Sequence, residues 1–178
     1  MVLRPLTLAD EAAFLRGFHD YAGEDPRQYT FSWTPGDSFA AHLQLLDDHS
    51  RGLNVPPTWV PSTMLYAFIG ARIVGRVNIR HTLNDYLRQR GGHVGYSVAP
   101  PYRRRGYATL MLRLALPVCR TLGLDAVMLT CDADNIASRK VIESNGGVLA
   151  ETFPDPQSQT LACRYWIHLS PPAGDIIP

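Results

Sequence analysis

The residues best suited to bind an anion lie between His93 and Leu112. A β-favouring run, Val94 to Val98, ends at two prolines, and three arginines follow at positions 103–105. Gly106 and Ala108 then lead into an apolar-periodic helix. The first N–H groups of a helix have no intrahelical partner, and the helix dipole adds partial positive charge there. Small residues let a phosphate approach the backbone, so the segment predicts an anion site at a helix N-terminus.

A second group of polar residues follows the next predicted strand. Asn135 is a good N-cap for a helix that reaches about Ser144, and Gly146-Gly147 is a typical helix end. Alone, each feature has an ordinary structural explanation: a solvated basic turn, a cap and a stop. Their order along the chain favours a common function.

Composition limits the class of protein. The chain has 178 residues and a formal net charge of +1, which indicates one domain and argues against a nucleic-acid or membrane-surface binder. Three cysteines without a C-x-x-C spacing favour free thiols in a reducing compartment over a disulfide framework or a zinc site. We see no signal-peptide pattern and no apolar run near the roughly 18 residues of a membrane span. A cytoplasmic protein is expected.

Periodicity and turn signals predict the element order β-α-α-β-β-β-α-β-α-β-β, which is typical of an α/β (α+β) mixed sheet with helices on both faces. The predicted strands are Val2–Leu6, Thr63–Ile69, Arg72–Arg80, Val94–Val98, Ala126–Cys131, Val148–Phe153 and Leu161–Leu169. The predicted helices cover about Ala9–Tyr21, Ser38–Gly52, Arg105–Leu122 and Asn135–Ser144, with a helical turn at Asn84–Arg88. Pro117 should kink or shorten its helix. Pro171–Pro178 should be a loose tail.

Two motifs resemble those of the GNAT-type N-acetyltransferase superfamily. The first, R/Q-x-x-G-x-G/A, is met by Arg103, Gly106 and Ala108, and the second is the N-x-x-A/S helix from Asn135 to an Asn-Gly pair. The resemblance covers roughly Thr63 to Leu169. It implies a GNAT-like acyl-CoA N-acyltransferase fold over residues 1–170, with a central, mostly antiparallel sheet of about six to seven strands and about four flanking helices.

The same resemblance implies acetyl-CoA as cosubstrate, and no metal. Pantetheine is expected between the central strands, on the backbone of Tyr96, Ser97 and Val98. Asn135 and Ser138 are expected to hydrogen-bond the coenzyme arm. The turn expected to hold the pyrophosphate comprises Arg103, Arg104, Arg105, Gly106, Tyr107, Ala108 and Thr109.

The implied reaction is direct acetyl transfer to a primary amine of a small molecule, peptide or protein. The sequence departs from the family at Ile142, where many relatives carry a tyrosine that protonates the leaving thiolate. We consider His93, His81 and Tyr96 as catalytic candidates, although a structural role is common for each residue type. An acyl-enzyme on Cys131 is a less favoured route, because no histidine is near it in sequence. A catalytically inactive, coenzyme A-binding sensor is the alternative.

The acceptor side gives weaker signals. Acidic residues that could attract a cation are scattered, and three aromatics could either wall a pocket or pack in a core. These residues are Asp20, Glu24, Asp25 and Asp37, and Tyr29, Phe31 and Trp33. The final strands could pair between two copies, so a homodimer is a further expectation.

Overall fold

A computed structural model describes residues 1–155 and 160–169. Within these residues the chain forms seven strands, five α-helices and three short 3₁₀ turns. The strands are β1 (Val2–Arg4), β2 (Ser62–Ile69), β3 (Arg72–Arg80), β4 (Val94–Val98), β5 (Ala126–Asp132), β6 (Val148–Pro154) and β7 (Leu161–His168). The helices are α1 (Glu11–His19), α2 (Phe39–Ser50), α3 (Asp85–Gln89), α4 (Tyr107–Thr121) and α5 (Ile136–Glu143). The predicted element order and fold class are confirmed.

The strands form two sheets. One has the order β1-β2-β3-β4 and the other the order β5-β7-β6, and neighbouring strands of the described residues pair antiparallel in both. In the described part of the chain, a single isolated bridge joins the two sheets, between Gly92 and Leu129. Beyond that bridge β4 and β5 do not pair, so a gap opens between the two central strands.

The two faces of the first sheet pack against different helices. Alternation along β3 sends Val77 and Ile79 into one core cluster, with Met111 and Leu112 of α4. The opposite face meets α1 and α2, where Phe14 and Tyr66 belong to an aromatic-rich second cluster. The sheet is therefore covered on both sides, as the element order predicts.

Helix α4 passes through Pro117 and ends at Thr121, so the proline does not shorten the helix, and the alternative expectation, a kink, stays a prediction. The proline lies on the exposed side of the helix, where water can satisfy the carbonyl that loses its N–H partner. On the opposite side Met111, Ala115 and Cys119 are fully buried. Their packing holds the helix together across the missing hydrogen bond.

The ends of the chain leave two predictions open. Pro171–Pro178, the predicted tail, lies outside the described residues. The outer strand β6 exposes Val148 and Leu149, but the homodimer stays a prediction. No helix among the described residues is both long and apolar enough to span a membrane.

Candidate active site

The edge of β4 that faces the gap carries unpaired backbone groups. Arg80 N–H donates to His93 O, and Ala99 N–H donates to Val74 O, so residues 93, 95, 97 and 99 form the hydrogen-bonded pairs with β3. The alternate residues Val94, Tyr96 and Val98 turn their N–H and C=O groups toward β5. Of the predicted pantetheine contacts, Tyr96 and Val98 present their backbone to the gap, whereas Ser97 turns its backbone to β3.

The turn after β4 is tied to its surroundings by Arg103. Arg103 Nε donates to Val98 O at 3.0 Å, and its guanidinium pairs with Glu24 at 2.9 Å. Arg104 and Gly106 both adopt positive φ, 62° and 74°. Successive amides in such a turn form a concave, anion-binding arrangement.

The start of α4 completes this cradle. Gly106 is the N-cap and supplies no side-chain cap, so the first amides of the helix, at Tyr107, Ala108 and Thr109, are left for another partner. Arg104 and Arg105 are exposed beside it. A 15-residue helix adds its dipole to these charges. The backbone geometry and the charges fit a pyrophosphate.

The other wall of the gap is α5. Asn135 caps the helix by accepting from Ser138 N–H at 3.0 Å, as predicted. The Tyr96 hydroxyl lies 2.7 Å from Ser138 Oγ. Burial raises the pKa of Tyr96 to about 12. Ile142, one turn further along, is buried and offers no proton donor.

His93 is bound into the junction of the two sheets. The Nδ1 of His93 accepts a hydrogen bond from the backbone N–H of Met128 at 2.9 Å. The backbone N–H of His93 donates to Met128 O at 2.7 Å. Burial, with help from Arg88 and Arg80, lowers the pKa of His93 to about 4. Neutral His93 therefore joins the start of β4 to β5.

His81 lies at the end of β3, tied to the neighbouring strand. Its Nε2 is 2.9 Å from Thr63 Oγ1, and burial lowers the pKa of the imidazole. His81 does not line the adjoining cavity described next.

A cavity of about 480 Å³ opens on the α1/α2 side of the first sheet. It is walled by three aromatics, by the segment before β2, by α3 and by two polar residues of β3. The lining residues are Phe31, Thr58, Trp59, Val60, Ser62, Asn78, Arg80, Asn84, Tyr86 and Leu87. A narrower cavity of about 180 Å³ lies in the gap between β4 and β5, and Arg80 borders both cavities.

The aromatic and acidic residues predicted for the acceptor side lie in different parts of the structure. Phe31 lines the cavity, whereas Tyr29 and Trp33 pack in the second core cluster. The scattered acidic residues do not line the cavity, and two of them are paired elsewhere: Asp25 with Arg27, and Glu24 with Arg103.

The polar residues of β3 were not among the site residues predicted from the sequence. Arg76, Asn78 and Arg80 alternate within a strand whose other residues are mostly apolar. Charged residues in a strand buried on both faces are unusual, and that spacing was the available signal. Among the residues described, no group of three or more His, Cys, Asp or Glu could hold a metal ion.

Comparison with known proteins agrees with this geometry. Residues 1–148 match the family model described as the acetyltransferase (GNAT) domain. A search of the curated proteins found no match.

Solved structures share the fold at low identity. YncA from Salmonella typhimurium, solved with its cofactor acetyl-CoA, is 15% identical over 97% of this chain and 96% of its own, with a TM-score of 0.63. RimL, a ribosomal-protein alpha-N-acetyltransferase in complex with coenzyme A, is 16% identical over 94% and 93%, with a TM-score of 0.65. A spermidine N-acetyltransferase chimera built in part from Vibrio cholerae SpeG is 20% identical over 95% and 97%, with a TM-score of 0.62. Because the family model matches most of its length, the chain belongs to the GNAT family of acetyl-CoA-dependent acetyltransferases.

Proposed function

We propose that this protein transfers the acetyl group of acetyl-CoA directly to a primary amine. The observation that carries the proposal is the continuity of the free β4 edge with the cradle at the start of α4. An extended pantetheine arm can add to such an edge as a further strand would. The cavity of about 480 Å³ next to it suits a small molecule or the end of a peptide.

The chain would hold the coenzyme mainly through its backbone. Tyr96 and Val98 would bond the pantetheine amides, and the amides of residues 104–109 would bind the pyrophosphate. Arg103, Arg104 and Arg105 would add positive charge around these groups. Asn135 and Ser138 would contact the arm from α5. Bound acetyl-CoA supplies the activated acetyl thioester.

Tyr96 is our candidate for assisting the leaving sulfur in place of the absent tyrosine at position 142. In the transfer an N–C bond forms and the C–S bond breaks, one proton leaves the nitrogen and one reaches the sulfur. Tyr96 lies in the gap, with its hydroxyl on Ser138, one helical turn from Ile142. Its raised pKa keeps the phenol protonated at neutral pH, so it can donate a hydrogen bond to the departing thiolate.

Loss of a proton from the acceptor ammonium needs a base or water. His93 suits this role poorly, because its Nδ1 is occupied and its pKa is about 4. His81 stays a candidate through water. Burial raises the pKa of the Cys131 thiol to about 11, which favours direct attack over an acyl-enzyme route.

Two measurements test the proposal. Isothermal titration should show acetyl-CoA binding to the native protein. A screen of small amines and peptides should then show release of free thiol that depends on both acetyl-CoA and an amine. Binding without release from any amine would favour the sensor alternative, which rests on Ile142. Absence of binding would overturn both.

A further inference from the structure

One face of β3 carries a row of polar side chains that the transfer reaction does not use. Arg76, Asn78 and Arg80 alternate along the strand, on the side opposite Val77 and Ile79. Arg76 and Asn78 are 6% and 5% exposed, and Arg80 is half-buried. The row ends in the acceptor cavity, where Asn78 and Arg80 are lining residues.

The two guanidinium groups of this row lack acidic partners. Arg76 donates to the carbonyls of Gln28 and Arg27 and stacks on Phe31 at 4.4 Å. Among residues 1–155 and 160–169, no carboxylate forms a salt bridge with Arg76 or Arg80 within 4.0 Å. Burial lowers the pKa of Arg76 to about 10 and also lowers the pKa of Arg80. Buried cations are usually paired, so this face has an excess of positive charge.

Arg80 is held in place while part of its guanidinium stays available. One terminal nitrogen donates to Gly91 O at 3.2 Å and to Gly92 O at 3.0 Å. The other terminal nitrogen lies over Gly95, where a Cβ would approach it to 3.4 Å. The bare backbone of Gly95 leaves room for the guanidinium to lie against β4, where Arg80 lines both cavities. A fixed guanidinium that lines a cavity is suited to a carboxylate.

Asn78 adds an unsatisfied acceptor to the same cavity. Its buried Oδ1 has no hydrogen-bond partner among the described residues. A buried carbonyl oxygen without a donor is costly, so a ligand N–H would be favoured there. Anion-binding and amine-binding groups therefore lie two residues apart on one strand.

The apolar wall of the cavity is held by contacts within the protein. Trp59 packs edge-on against Phe31 at 6.0 Å and against His49 at 5.9 Å. The segment that carries Trp59 is tied to α3, because Asn84 Nδ2 donates to Thr58 O while Asn84 Oδ1 caps the helix. A preformed aromatic wall selects an apolar group.

We propose that the acceptor is an amino-acid-like molecule whose carboxylate is bound by Arg80, whose amine is bound by Asn78, and whose apolar side chain packs on Trp59 and Phe31. This substrate class deepens the proposed function and rests on it. None of the ten described residues that line the cavity is Asp or Glu, so a polyamine would bring its second ammonium toward Arg80 without compensation. A peptide N-terminus would supply the amine without the carboxylate.

The test compares matched acceptors on the native protein. Thiol release from acetyl-CoA is measured with the twenty standard amino acids, with their carboxamides and with the corresponding decarboxylated amines, each over a range of pH. We expect apolar amino acids to exceed their own carboxamides about tenfold to a hundredfold in kcat/KM. Spermidine should have a lower kcat/KM than any of the apolar amino acids.

Two variants locate the effect. Arg80→Gln should lower kcat/KM for the best amino acid about tenfold to a hundredfold, chiefly through KM, and lower kcat/KM for its carboxamide by a much smaller factor. Arg72→Gln, at the exposed start of the same strand, is the matched control and should change neither. Acetyl-CoA affinity by titration should be the same in both variants, which checks that they fold.

The outcomes separate the two proposals. Equal or faster turnover of the carboxamides or decarboxylated amines would overturn the amino-acid assignment and leave the amine transfer intact. An equal loss of kcat/KM for the amino acid and for its carboxamide in Arg80→Gln would also overturn the amino-acid assignment. Thiol release from none of the amines, with acetyl-CoA still bound, would overturn both.

Discussion

The proposed donor and acceptor sides of this protein differ in whether backbone or side chains form them. The donor side uses backbone: the free edge of β4 and the amides at the start of α4. The acceptor side uses side chains that come from three distant segments, around Phe31, Trp59 and Arg80. A backbone site depends on conformation and tolerates many side chains, whereas a side-chain site changes with each substitution. One fold can therefore keep its donor while its acceptor varies.

The largest effect we expect comes from breaking the donor side at Gly106. Gly106→Glu puts a carboxylate into the anion cradle and forces a side chain onto a φ of 74°, so acetyl-CoA affinity should fall at least about a thousandfold. Gly123→Glu is the control, because Gly123 has φ 84°, open space and a position just past the other end of the same helix. Isothermal titration measures both. Similar affinity in the two variants would remove the cradle from the donor site.

Tyr96→Phe should separate binding from chemistry within the donor side. Removing the hydroxyl should lower kcat about tenfold to a hundredfold and leave acetyl-CoA affinity nearly unchanged. Tyr165→Phe is the control, because Tyr165 also directs its hydroxyl at α5, to Glu143 at 2.8 Å, away from the gap. The steady-state rate of thiol release measures kcat in both variants. An unchanged kcat for Tyr96→Phe would leave the departing thiolate to water.

His93 should affect stability rather than the rate profile. Its pKa is about 4 in the folded state and about 6.5 when unfolded, so the unfolded chain binds more protons between these values and stability falls as pH falls. From pH 7 to pH 5 the loss should be about 2 kcal/mol. His42, whose pKa burial also lowers to about 4, adds a similar loss.

Urea unfolding at several pH values measures this slope. His93→Ala should be less stable at pH 7, since Met128 N–H loses its acceptor, but its pH slope should be about half that of the native protein. Exposed His168→Ala should keep the native slope. A shifted pH–rate profile in His93→Ala would instead support His93 as the base.

The smallest effect concerns the ion pair that links the two sides. Glu24 follows α1, and Arg103 belongs to the cradle. Glu24→Gln should tighten acetyl-CoA binding by no more than about fivefold, because exposed ion pairs contribute up to about 1 kcal/mol. The gain should shrink as salt rises. Asp20→Gln is the control, and weaker binding in Glu24→Gln would mean that the pair orders the turn.

The contrast between a site made of backbone and a site made of side chains explains which features could be predicted from the sequence. Strands β3 and β4 and the caps of α2 and α5 follow from local patterns, and they were predicted within a residue or two. The cradle is contiguous in sequence, so its motif was readable. The cavity was not, because Trp59 and Asn78 meet only after β2 and β3 pair. Pro117 does not end α4, because the packing of Met111 and Cys119 outweighs a single lost hydrogen bond.

Gly92 has a further consequence. It adopts φ 64°, and a Cβ there would lie 2.2 Å from Met128 O, so the two sheets touch at a point where only glycine fits. Because β4 and β5 share no ladder pairing among the described residues, a coenzyme bound between them would break no ladder hydrogen bond. Any longer side chain at position 92 would change the angle between the two sheets and therefore the width of the gap between β4 and β5.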